Sequence, residues 1–241
     1  MTEQMQTFEI TPDIAEELTR RRGFLHPYER LSPKQTALVV VDMQNYFMAD
    51  GEPACAPAAR LIVPNVNALA AKAREHGGLV VWIMTEAKDE TPSDWANLYE
   101  CYSGEAKAKR QANLGKHGSG FPLWPKLEVE PNDEIVIKTR YSAFVPGASN
   151  LDLVLRARGI DTILVTGVAT NVCCESTARD GMMMGYRTVM VSDANAAFTQ
   201  ENHAHALRNF LVTFGDVQST IETLANLDRG HRRSGQARAA E

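Results

Sequence analysis

No apolar run in this 241-residue chain reaches bilayer length, which argues against a membrane-spanning helix. The opening residues, Met1-Thr2-Glu3-Gln4-Met5, carry neither the basic cluster nor the apolar core of a secretory signal, so a cytoplasmic location is expected. Cysteine is scarce. Cys55, Cys101, Cys173 and Cys174 lack the paired C-x-x-C spacing of a metal site, and adjacent cysteines are awkward to bridge to each other. Basic excess is missing too, since the formal net charge is −5. That balance argues against nucleic acid or an anionic membrane as partner. The basic stretches Arg20-Arg21-Arg22 and 229–238 read as a solvated face and a frayed tail. No Gly-x-Gly-x-x-Gly follows the first apolar block, which removes the dinucleotide fingerprint. Internal repeats and low-complexity segments are also absent.

What remains is an ordinary globular composition, 44% hydrophobic and 23% charged, in a chain long enough to bury one sizeable core. The apolar residues come in short β-branched blocks. Residues 36–41 read Thr-Ala-Leu-Val-Val-Val, the mark of a strand buried on both faces. Further blocks lie at 79–84, 135–137, 162–166, 188–191 and 217–218. Between them apolar residues recur at helical spacing over 59–75, 151–158, 172–184 and 201–213. Stop signals follow at His76-Gly77-Gly78, Gly159 and Gly185. This alternation predicts an α/β fold, a parallel sheet covered on both faces with right-handed crossovers. Its site is expected outside the carboxyl ends of the strands.

Three segments follow from the pattern: an arm (1–34), a main domain (35–226) and a flexible tail (227–241). The arm carries a helical pattern at 12–21 and is expected to pack on the domain or on a neighbouring subunit. Within the domain, residues 85–133 show no dominant helix or strand, yet they hold Trp95, Tyr99, Tyr102, His117, Phe121 and Trp124. A loop of that length predicts a lid or pocket wall, with a subunit contact as the alternative.

Three residues at strand ends carry chemistry. Asp42 follows three valines, where a carboxylate is costly unless it is paired or working; capping the next turn is its other use. Lys138 ends the third strand, either exposed to solvent or set as positive partner to a carboxylate and a thiolate. Cys173 follows the small-residue turn Gly167-Val168-Ala169-Thr170 at the mouth of a helix. Unpaired N–H groups and the helix dipole there are expected to lower a thiol's pKa. A buried free cysteine is also a common core residue, the use expected of Cys174, which points about 100° away around the helix. The argument rests on the triple, not on any one member.

These motifs resemble those of the isochorismatase-like cysteine hydrolases. The matching stretches are Val40-Val41-Asp42-Met43-Gln44-Asn45, Ile137-Lys138 with Arg140-Tyr141-Ser142-Ala143-Phe144, and Gly167 through Cys173. Thr177-Ala178-Arg179-Asp180 and Val191-Ser192-Asp193-Ala194 follow in order, so the resemblance spans roughly residues 35 to 220. It implies a Rossmann-like three-layer α/β/α sandwich with a six-stranded parallel sheet and catalytic Asp42, Lys138 and Cys173. It also implies a cis Val168–Ala169 bond that turns the Ala169 N–H toward an oxyanion hole shared with the Cys173 N–H. The implied activity is that of a cysteine-dependent amidohydrolase cleaving a C–N bond of a small amide or ureide through a thioester, with loss of ammonia or carbamate. No cofactor is implied, and a homodimer or homotetramer is.

Within that family, nicotinamidases hold a metal with an Asp-x-His pair after the second strand. Here that region reads Thr85-Glu86-Ala87-Lys88-Asp89-Glu90, and no metal site is expected. His117, His203 and His205 are scattered, the last two expected to face solvent on one helix. True isochorismatases cleave a vinyl ether and lack the nucleophilic cysteine. Hydrolases of ureidoacrylate, biuret or N-carbamoylsarcosine remain, the ureidoacrylate group being most similar around residues 140–144 and 171–173. Asn45, Phe47, Trp95 and Tyr141 are expected as pocket walls against a planar amide or ureide. The alternatives are a nicotinamidase-like hydrolase of another small amide, an inactive binding protein on the same fold, and a thiol redox protein using Cys173 with Cys174.

Overall fold

A computed structural model describes residues 4–88 and 94–238. Its strands are β1 (Thr36–Val41), β2 (Leu79–Thr85), β3 (Glu134–Lys138), β4 (Thr162–Val168), β5 (Arg187–Ala196) and β6 (Asp216–Gln218). They form one sheet in the order β3-β2-β1-β4-β5-β6, with every pairing parallel. The order reverses direction between β1 and β4, and a crevice opens at such a switch point outside the strand ends.

Strand periodicity explains the layers. Along β1, Leu38 and Val40 enter one core while Ala37, Val39 and Val41 enter the other. On β4, Leu164 faces the first core and Ile163 and Val165 the second. The helix Val63–Glu75 covers the first face with Val66, Leu69, Ala70 and Ala73. The second face is covered by Leu151–Ala157, Glu175–Met183 and Gln200–Thr213, through Leu155, Ala178, Leu207 and Phe210 among others. Each such buried aliphatic or aromatic side chain contributes roughly 1.5–3 kcal/mol. The expected three-layer α/β/α sandwich is therefore what the chain forms.

One open alternative is decided and three local readings change. The arm's helix, Pro12–Arg22, buries Ile14 and Leu18 in the second core, so the arm packs on its own domain. Its basic cluster is exposed at Arg20 and Arg21, as read, but two of its members also make hydrogen bonds. Arg22 Nη2 donates to the carbonyls of Leu211 (2.8 Å) and Val212 (3.0 Å), and Arg21 donates to Val212 as well. Cationic donors thus meet the orphan carbonyls at the end of helix Gln200–Thr213. Among the described residues of the long 85–133 segment the helices Ala96–Glu100 and Gly104–Leu114 form, the second capped by Ser103 Oγ accepting from the Ala106 N–H at 3.2 Å. Finally, helix Thr220–Arg238 runs through the stretch read as a frayed tail. Leu227 is buried and His231 stacks on His76 at 4.1 Å between ring centroids, contacts that hold the helix against Val63–Glu75. Among the described residues no helix is long and apolar enough to cross a membrane.

Candidate active site

Three adjacent strand ends supply the polar centre. Lys138 closes β3, Thr85 closes β2 as its direct register partner, and Asp42 follows β1. Asp42 takes a left-handed φ of 54°, turning the chain out of the sheet while its N–H still bonds Ile83 O at 2.9 Å. Lys138 reaches across the end of β2, placing Nζ 2.7 Å from Asp42 Oδ2. Both side chains are wholly buried. Thr85 Oγ1 sits between them, accepting from Lys138 Nζ at 2.6 Å and donating to Asp42 Oδ1 at 2.9 Å. The ammonium also donates to Arg140 O at 3.0 Å. Desolvating two charges costs several kcal/mol each, and only partners on every side offset it.

Gln44 holds this relay in place. Its amide accepts from the Thr85 N–H (2.7 Å) and donates to Thr85 O (3.0 Å) and to Phe121 O (2.7 Å). The side chain thereby pairs with the backbone of β2 as a neighbouring strand would. Thr85 was missed in the sequence because a threonine ending an apolar strand carries no distinguishing pattern.

Cys173 arrives from the other side of the switch point. Gly167, with φ at 116°, lets β4 pass against β1: a Cβ there would lie 2.1 Å from Val41 O. The Val168–Ala169 peptide is cis, and a π-helical turn, Thr170–Cys174, follows before the helix Glu175–Met183. The thiol is buried beside both Asp42 and Lys138. Burial first, then the Asp42 carboxylate, push its pKa up to about 12, against the opposing pull of Lys138. The expected lowering at a helix mouth does not occur, because desolvation and a neighbouring anion outweigh the helix terminus. A thiol raised that far does not ionise unaided at neutral pH. Deprotonation has to be coupled to attack. Burial alone would lower the pKa of Lys138, but Asp42 and then the thiol raise it, so the ammonium stays charged.

A cavity of about 280 Å³ opens onto Cys173 and Ala169. Phe47 and Tyr141 line it, joined by Tyr46, Tyr102, Arg110 and Phe198. Asn45 and Trp95 do not. Asn45 Nδ2 donates away to Ser119 O at 3.2 Å, and Trp95 packs edge-on behind Tyr141 at 4.9 Å between ring centroids. The long segment thus walls the pocket through Tyr102 and Arg110 on and beside helix Gly104–Leu114. His203 also departs from expectation: it is fully buried, its Nδ1 2.9 Å from Thr170 Oγ1, whereas His205 is exposed. The helix turns one imidazole inward onto the turn that carries Cys173. Among the described residues no disulfide joins the cysteines, and Cys174 Sγ lies 3.8 Å from Thr166 O in the core. Among the described residues no cluster of three or more histidine, cysteine or acidic side chains is placed to hold a metal ion.

Residues 36–222 match the family model described as the isochorismatase domain. The chain belongs to the isochorismatase family. Among its relatives is a ureidoacrylate amidohydrolase of Klebsiella pneumoniae subsp. pneumoniae, 33% identical over 211 residues that cover 80% of this chain and 89% of the relative. Among solved structures, a cysteine hydrolase from Pseudomonas syringae pv. phaseolicola 1448A superposes with a TM-score of 0.73 at 30% identity, covering 83% of this chain and 95% of that one. An N-carbamoylsarcosine amidase from Thermoplasma acidophilum gives 0.62 at 27% identity, covering 77% and 96%. This isochorismatase-family hydrolase therefore shares its sheet, its switch point and most of its length with those proteins.

Proposed function

We propose that this isochorismatase-family hydrolase is a cysteine-dependent amidohydrolase, cleaving a C–N bond of a small amide or ureide. One observation carries the reading: a fully buried Lys138–Asp42 ion pair beside the Cys173 thiol, which itself lines a cavity with aromatic walls. A carboxylate kept dry and held by Lys138 and Thr85 is a competent base for a thiol that does not ionise by itself. Asp42 takes the Cys173 proton as sulfur attacks the carbonyl carbon. The backbone N–H groups of Ala169 and Cys173 hold the developing oxyanion, about 3 kcal/mol for one such donor. Asp42 returns the proton to the leaving nitrogen, the C–N bond breaks, and a thioester is left on Cys173. Asp42 then deprotonates water to hydrolyse it, releasing the acid, with ammonia or carbamate as the nitrogen product. Lys138 keeps Asp42 oriented throughout.

The relatives' names support ureides as the substrate class, ureidoacrylate and N-carbamoylsarcosine each carrying a carbamoylated nitrogen. Ammonia release from ureido acids, biuret, simple amides and nicotinamide tests the proposal, with Cys173→Ala as control. Turnover of a ureide that falls by about 10⁴-fold or more in Cys173→Ala is the expected result. Turnover retained by that variant, or none across the panel, overturns it.

A further inference from the structure

Arg110 is a buried cation that the amide chemistry leaves unused. It stands on the inner face of helix Gly104–Leu114, 6% exposed, and lines the same cavity as Cys173. Its neighbours are the hydroxyls of Tyr46, Tyr99 and Tyr102. Among the described residues no carboxylate pairs with it, and its Nε has no hydrogen-bond partner.

The other enclosed arginines differ. Arg74 is held by Asp133 through Nε (3.0 Å) and Nη2 (2.7 Å), and Arg22 by two backbone carbonyls. Arg140, also in the cavity wall, is committed to the carbonyls of Thr139 and Asp94 and to Thr139 Oγ1. An enclosed guanidinium without a counter-anion is costly to keep, and its planar fork matches a carboxylate in two parallel hydrogen bonds. Tyr46 and Tyr102, which line the same cavity, supply further donors for that anion. With the nucleophile at one wall and a free cation at another, the cavity is built to hold a molecule polar at both ends.

We propose that Arg110 is the receptor for a carboxylate on the substrate, so that the compound cleaved at Cys173 is a short ureido or amido acid and not a neutral amide. This rests on the amidohydrolase reading above and names its substrate class.

The test compares 3-ureidopropionate with its methyl ester by ammonia release, using the wild-type enzyme, Arg110→Gln and Arg110→Lys. Wild type is expected to favour the acid by about 100-fold in kcat/KM. Arg110→Gln is expected to remove that preference, chiefly by raising KM for the acid, so that acid and ester differ by less than about threefold, and Arg110→Lys, which keeps the charge without the fork, falls between. Equal losses on acid and ester would mean that Arg110 merely braces the tyrosine cluster, and a wild-type preference for the ester would mean that no anion is read. Either overturns the proposal. If neither compound releases ammonia, the hydrolase reading fails for this pair and calorimetric titration still decides the receptor. Binding of 3-ureidopropionate at least about tenfold tighter than the ester, lost in Arg110→Gln, upholds it. Equal affinity, or none, sinks it.

Discussion

Lys138 is the residue on which the electrostatics of the site turn. It ends a strand whose other side chains are ordinary, yet its ammonium meets Asp42, Thr85 and a main-chain carbonyl with no exposure to water. Removing one partner of a buried pair strands the other, at about 3–5 kcal/mol. Lys138→Met is therefore expected to lose that much stability in urea unfolding, and Asp42→Asn combined with it to recover a substantial part. An unchanged unfolding midpoint in Lys138→Met would show that the pair is not held as described. Asp42 and Cys173 were legible at this scale because a carboxylate after three valines and a cysteine after a glycine turn are conspicuous. Thr85 and Arg110 were not, because a threonine at a strand end and an arginine in a polar helix look like hundreds of others.

At the scale of elements, the parallel strands were readable because burial on both faces writes them as unbroken apolar blocks. Helix Gly104–Leu114 was not, for a reason tied to its role. Its residues Glu105 to Leu114 are mostly good helix formers, but the face it turns inward carries Arg110 beside Leu114 instead of an apolar stripe. Binding residues broke the periodicity by which helices are recognised. The register of β4 on β1 is the other element-level constraint. Gly167→Ala places a Cβ against Val41 O in a backbone conformation that L side chains rarely adopt. It is expected to cost more than about 2 kcal/mol and to lower kcat, since the turn carrying Cys173 starts there. Wild-type unfolding and turnover in that variant would show that the close approach of the two strands is dispensable.

For the whole molecule, pH acts through the groups that folding buries. Burial lowers the His203 pKa from 6.5 to about 4. The folded state then resists a proton that the unfolded chain accepts, so His203's contribution is fully present above pH 6.5 and is lost as pH falls through 4, about 3 kcal/mol in all. At the alkaline end the sign reverses. Cys173 and Tyr141, both raised to about 12, chiefly by burial, contribute fully below pH 9 and lose that contribution as pH climbs toward 12. His203→Asn should flatten the dependence of Tm on pH between 6.5 and 4 and leave the alkaline limb alone. An acid limb as steep as that of the wild type would assign acid sensitivity to other groups.

Local pattern carried the α/β class and the place of the strands, and singled out Asp42, Lys138 and Cys173 as candidates, because each leaves a local mark: unbroken apolar blocks, strand ends, a glycine turn. Folding in three dimensions was needed to bring Lys138 across β2 to Asp42, to lock the pair with Thr85 and Gln44, and to put Arg110 and Cys173 on the lining of one cavity. Burial in the fold, with Asp42 alongside, also raises the Cys173 thiol well above its ordinary pKa. Those facts depend on distances between segments far apart in the chain and on how completely water is excluded from them. Neither quantity has a local signature.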